Sequence, residues 1–175
     1  FFEGSPRHVS LEVAKDIVAV LPATVARVGV FVNADETLVS RAVLECTLNV
    51  LQFHGEESPE FCSQFGAMTL KAIRVKDESS LEEMGRFATD GFLLDAYSKE
   101  ARGGTGETFN WELARRAVGG GRPIFLAGGL TAENVAEAVR VVEPFAVDVS
   151  NGVESAPGKK DAEKMRAFVA AAKGA

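Results

Sequence analysis

Short apolar segments alternate with amphipathic helical segments along the whole chain, and that alternation restricts the fold more than any other feature. Val25–Val32, Asn49–Phe53, Leu70–Val75, Gly91–Asp95, Pro123–Ala127 and Phe145–Val149 are largely apolar runs, the pattern of strands buried on both faces. Around them lie Ser10–Val20, Asp35–Cys46, Pro59–Phe65, Ser80–Phe87, Trp111–Val118, Ala132–Val141 and Asp161–Ala172, with apolar residues at helical spacing. Ser10, Ser58, Ser79, Asn110 and Thr131 stand where helix N-caps belong. Strands this apolar, each followed by a helix, imply a parallel sheet covered by helices. An open doubly wound sheet and a closed barrel both satisfy the pattern.

No Pro/Gly/Ser-rich linker interrupts the alternation, so a single domain spanning residues 1–175 is expected. A closed barrel of this type has eight strands and typically about 200–250 residues. Against that size the chain is short by one strand–helix unit and most of a strand, with Phe1-Phe2 read as the stub of the second strand. A net charge of −6 supplies no basic stripe for a nucleic-acid backbone. The longest apolar runs fall far short of a membrane span. Cys46 and Cys62 lack metal-ligand spacing, and two reduced thiols in a cytoplasmic protein are the simplest account of them.

Two strand ends near the C-terminus carry a ligand signal. Phe125-Leu-Ala-Gly-Gly-Leu-Thr131 and Phe145-Ala-Val-Asp-Val-Ser-Asn-Gly152 both run from apolar residues into small ones. Backbone N–H groups can close on a phosphate there, and a following helix N-terminus adds partial positive charge. Two such ends on consecutive parallel strands form the phosphate grip of many eight-stranded α/β barrels. Asp95 ends the strand Gly91-Phe-Leu-Leu-Asp95, at the edge where barrel chemistry takes place, and a partly desolvated carboxylate suits proton donation. The glycine-rich stretch Arg102–Trp111, which includes Gly103 and Gly104, reads as a loop that closes over a ligand. Gln52 and His54 flank Phe53 and project to one side of a strand. Arg7 suits a clamp for a ligand carboxylate.

Together these residues resemble the phosphoribosylanthranilate isomerases of tryptophan biosynthesis. The matching stretches are SPRHVS, VGVFVN, LQFHGEE, KAIRV, LLD, GGTGETFNW, LAGGLTAENV and PFAVDVSNGVESAPGKKD, in family order and across essentially the whole chain. The resemblance implies a parallel (β/α)8 TIM barrel of the ribulose-phosphate-binding type, lacking the first βα unit in the chain as given. It also implies an Amadori rearrangement of N-(5-phosphoribosyl)anthranilate that needs neither metal nor redox cofactor. By that resemblance Asp95 is the general acid and Arg7 holds the anthranilate carboxylate. Gln52, His54, Gly103, Gly104 and Asp148 contact substrate, Asp148 through the sugar hydroxyls. Gly128, Gly129, Ser150, Asn151 and Gly152 hold the phosphate. The expected partner is a small phosphorylated substrate, with no nucleic acid or membrane. The protein is expected to be a monomer or homodimer, in some contexts fused to another tryptophan-pathway enzyme.

Two departures from the family pattern stand out. The family's general base is a cysteine in a Lys-hydrophobic-Cys-Gly motif at the end of the first strand, and this sequence has no counterpart to it. Neither Cys46 nor Cys62 matches that position. Glu107 stands where a lysine is common after GGTG. Two alternatives follow: a non-catalytic truncated barrel that binds sugar phosphates, or a dual-substrate isomerase of histidine and tryptophan synthesis.

Overall fold

The computed structural model describes residues 1–95 and 111–175. Strands and helices alternate through them: α1 (Leu11–Ala19), β1 (Val28–Phe31), α2 (Glu36–Glu45), β2 (Val50–Phe53), α3 (Pro59–Ser63), β3 (Met68–Arg74), α4 (Glu78–Met84) and β4 (Gly91–Asp95). There follow α5 (Trp111–Val118), β5 (Ile124–Ala127), α6 (Val135–Val142), β6 (Ala146–Val147), the hairpin strands β7 (Glu154–Ala156) and β8 (Lys159–Lys160), and α7 (Ala162–Lys173). The chain forms two compact units, Phe1–Ala72 with Arg86–Asp90, and Ile73–Gly85 with Gly91–Ala175. Strand β3 begins in the first and ends in the second. Among the described residues no helix is long and apolar enough to cross a membrane.

In the first unit β1, β2 and β3 run parallel, with Phe31 beside Phe53 and Phe53 beside Lys71. Phe31, Leu51 and Phe53 are fully buried, as are Val39 and Ala42 of α2 and Cys46 at its C-terminus. The Phe53 ring lies 6.0 Å from Phe31, 5.8 Å from Phe61 and 5.9 Å from Phe65. Full burial of a Phe or Leu side chain stabilises by roughly 1.5–3 kcal/mol, against about 1 kcal/mol for a helix cap. The aromatic cluster therefore holds this unit, and the caps set where its helices begin. Ser10 caps α1, Ser58 caps α3, and the Asp35 carboxylate caps α2 by accepting the Leu38 N–H at 2.7 Å.

In the second unit β4, β5 and β6 run parallel, with Asp95 beside Ala127 and Leu126 beside Val147. Leu93, Leu94, Ile124 and Leu126 are buried on these strands, as is the face of α6 formed by Val135, Ala138 and Val142. Helix α7 starts at Asp161, whose carboxylate accepts the N–H groups of Glu163 and Lys164 at 3.0 Å each.

Several expectations need correcting. Strand β1 is shorter than Val25–Val32 and buried on one face only: Gly29 and Phe31 face the core, while Val28 and Val30 are 44% and 40% exposed. Phe1-Phe2 forms no ladder. The Phe1 nitrogen makes a single bond to the Val30 carbonyl at 3.0 Å, and its ring stacks on Phe31. Ser79 does not cap α4. Asp77 does, in a reciprocal box with Ser80, because a carboxylate is the stronger acceptor. Thr131 opens a turn ahead of α6, which begins after Asn134. Asn110 lies outside the described residues, as do Gly103, Gly104 and Glu107.

Candidate active site

The second unit brings its two strand-end turns into contact. Gly128 and Gly129 follow β5 with φ of +89° and +64°, a left-handed backbone that only glycine adopts readily. Ser150 leads into a 3-10 turn over Asn151–Val153 after β6. A Cβ on Gly152 would lie 2.0 Å from the Leu130 carbonyl oxygen. The second turn is thus seated against the first, and glycine is required for that approach. Asn134 braces the first turn from both sides: its Oδ1 accepts the Thr131 N–H at 2.8 Å, and its Nδ2 donates to the Gly129 carbonyl at 3.1 Å. Two abutting strand-end turns are a place where backbone N–H groups can hold an anion without a basic side chain in either turn.

Two carboxylates flank these turns. Asp95 ends β4, half-buried, and its carbonyl accepts the Val75 N–H at 3.3 Å. Asp148 follows β6 and extends its ladder, donating its N–H to the Leu126 carbonyl at 2.8 Å. Asp148 is exposed by surface area, yet nearby protein atoms take enough solvation from its carboxylate to raise its pKa. Lys160 opposes the rise and the charge of Asp95 adds to it, so the two aspartates and this lysine share one electrostatic neighbourhood.

Lys160 was not among the residues expected here. The β7–β8 hairpin carries it back to the second turn, where its ammonium donates to the Ser150 carbonyl at 2.8 Å and to Glu154 Oε1 at 3.0 Å. The motif PGKKD held the only sequence cue. Asn134 had a comparable cue within LTAENV.

In the first unit Gln52 on β2 and His54 just past its end lie together, with Gln52 Nε2 2.5 Å from His54 Nε2. Gln52 is buried and His54 half-buried. Arg7 is exposed in the turn before α1, where its N–H donates to Ser5 Oγ at 3.1 Å. Beyond the strand end lies a buried ion pair that carried no sequence expectation. Lys71 Nζ sits 2.9 Å from Glu57 Oε2 and also donates to the carbonyls of Gly55 at 2.5 Å and Phe53 at 3.4 Å. Glu57 Oε1 accepts the N–H groups of Asn33 at 2.8 Å and Gly55 at 3.2 Å. Burial alone would raise the Glu57 pKa, but Lys71 and the Asn33 N–H outweigh it and the net shift is downward.

The two thiols are poor bases where they stand. Cys46 and Cys62 are 1% and 0% exposed. Burial raises the pKa of Cys46 and pushes that of Cys62 up to about 11. A buried, protonated thiol abstracts no proton.

Comparison with known proteins gives one consistent result. Residues 1–171 match the family described as PRAI, N-(5'phosphoribosyl)anthranilate (PRA) isomerase. The N-(5'-phosphoribosyl)anthranilate isomerase of Geobacter sulfurreducens is 51% identical over 174 residues, covering 99% of this chain and 85% of that one. Monomers of the dimeric phosphoribosylanthranilate isomerase from Thermotoga maritima superpose with a TM-score of 0.87 at 38% identity, covering 100% of this chain and 85% of that one. A phosphoribosyl anthranilate isomerase in complex with reduced 1-(o-carboxyphenylamino)-1-deoxyribulose 5-phosphate superposes with a TM-score of 0.85 at 38% identity, covering 98% and 84%. The fold is accordingly the α/β type of these (β/α) TIM-barrel enzymes, and the chain belongs to the phosphoribosylanthranilate isomerase family.

Proposed function

We infer that this protein catalyses the Amadori rearrangement of N-(5-phosphoribosyl)anthranilate to 1-(o-carboxyphenylamino)-1-deoxyribulose 5-phosphate, the third step of tryptophan synthesis from chorismate. The observation that carries this reading is the seating of the Ser150–Gly152 turn against the Gly128–Leu130 turn, with Asp95 on the neighbouring strand. Gly128, Gly129, Ser150, Asn151 and Gly152 receive the substrate phosphate. Asp95 gives its proton to the furanose ring oxygen as the C1′–O bond breaks, and the nitrogen lone pair forms a C1′=N bond. A base then takes the C2′ proton, and the released electron pair yields the enolamine, which ketonises to product. Neither Cys46 nor Cys62 serves as that base, for the reasons given above.

Asp148 meets the sugar hydroxyls. Arg7 pairs with the anthranilate carboxylate, while Gln52, His54, Gly103 and Gly104 complete the substrate contacts by resemblance. The whole chain acts as one barrel domain, a reading supported by solved relatives that match it end to end. Residence in the cytoplasm fits two buried free thiols, and a monomer or homodimer fits the dimeric relative. Relatives of about half identity that bear the anthranilate isomerase name favour this activity over a dual-substrate or non-catalytic barrel.

The deciding variant is Asp95→Asn. Its turnover, followed by the loss of anthranilate-type fluorescence, should fall by about 10²–10⁴-fold with the fold retained. A loss smaller than about tenfold would remove Asp95 from the acid role.

A further inference from the structure

Glu154 and Lys160 are cross-strand partners in the β7–β8 hairpin. The Glu154 side chain is 5% exposed and that of Lys160 is 41% exposed, so the carboxylate is enclosed while the ammonium keeps an open side. Lys164 steadies the same strand by donating to the Glu154 carbonyl at 2.9 Å, and the Asp161 N–H donates to the Val153 carbonyl at 2.8 Å. The ammonium of Lys160 is thus delivered to the Ser150 carbonyl by a braced hairpin.

A carbonyl and the N–H that follows it across a trans peptide point in opposite directions, and no cis peptide occurs among the described residues. Holding the Ser150 carbonyl toward Lys160 therefore turns the Asn151 N–H to the other side of the turn. The same ammonium neutralises Glu154, whose negative charge would otherwise repel an incoming phosphate. We propose that Lys160 is the positioning residue of the phosphate turn: through the Ser150 carbonyl it sets the direction of the Asn151 N–H that receives the substrate phosphate. This rests on the phosphate-site reading above and gives Lys160 no contact with the phosphate itself.

The test uses the full-length protein and measures KM, kcat and competitive inhibition by inorganic phosphate. Lys160→Met should raise both KM and the phosphate inhibition constant about tenfold, the scale of a lost hydrogen bond to a charged group. Its kcat should stay within about threefold, as expected when binding is lost without transition-state stabilisation. Lys160→Arg, which can donate to the same two acceptors, should recover most of the affinity. The double variant Lys160→Met/Glu154→Gln removes the buried negative charge together with its ammonium partner and carries the test should the single variant not fold. It should remain weak for phosphate, because the Ser150 carbonyl still lacks its donor. Wild-type phosphate inhibition in that double variant would overturn the proposal, as would a Lys160→Met protein altered only in melting temperature. Gly129→Val supplies the control, since any side chain there is strained at φ +64°. If phosphate inhibition survives Gly129→Val, the phosphate-site reading itself fails. If it is lost there and kept in the Lys160 variants, only the positioning role fails.

Discussion

Each unit of the chain has a lysine–glutamate pair beside a strand end, and the two pairs are built for different work. Lys71 and Glu57 are each 3% exposed, and the pair also reaches two backbone carbonyls and two backbone N–H groups. Lys160 and Glu154 are lopsided, 41% against 5% exposed, with the ammonium beside the candidate phosphate turn and within reach of the Asp148 field. A pair satisfied on all sides holds backbone in place and presents no charge to a ligand. A half-open pair adds less to stability, because water screens it, but its charge is felt by whatever binds. The first unit thus encloses a structural ion pair, and the second leaves one at the service of its turns.

Lys71→Met should break this comparison most visibly. Removing one partner from a buried pair costs about 3–5 kcal/mol, read as a lower urea midpoint, and Lys71→Met/Glu57→Leu should regain most of that loss. A change below about 1 kcal/mol, the scale of an exposed pair, would mean that the two pairs are alike. Next in size is Gly152→Ala. Its Cβ would meet the Leu130 carbonyl at 2.0 Å, so the turns must separate, at about 1–3 kcal/mol as for other overpacked sites. Substrate KM should rise more than kcat falls, and unchanged KM would detach this contact from phosphate binding.

The smallest effect is a contrast in pH dependence. The folded pKa of Glu57 lies below its ordinary value of 4.5. Its stabilisation is therefore complete above that value and lost as pH falls through the folded pKa. Asp148 has the opposite sign. Its folded pKa lies above 3.8, so the ionised side chain opposes folding above the folded pKa, and that opposition fades as pH falls toward 3.8. Glu57→Gln should flatten the acid limb of stability, whereas Asp148→Asn should raise the melting temperature at neutral pH while lowering kcat/KM. Parallel pH–stability curves for wild type and both variants would remove the contrast.

Much of this was legible in the residues. Gly91–Asp95 was read to its last residue because a continuous apolar run ends there in a charge. The starts of α1 and α3 were marked by Ser10 and Ser58, because a cap is a local hydrogen bond within four residues. The hairpin was not legible. Strands of three and two residues carry no periodicity, and without the hairpin Lys160 reads as one more solvated charge near the C-terminus. Glu57 and Lys71 escaped for a related reason: each sits in a recognisable motif, but nothing local says that the two meet.

The sequence by itself determined the parallel α/β class and the family, together with the glycines whose backbone no other residue adopts easily. Those features arise from burial and dihedral preferences that act between near neighbours, so they leave a periodic or single-residue trace. Only the tertiary structure decided that Gly152 lies against the Leu130 carbonyl, that Lys160 reaches Ser150, and that Lys71 closes on Glu57. Each is a contact through space between chain segments brought together by the burial of other residues, and no local pattern in the sequence records it.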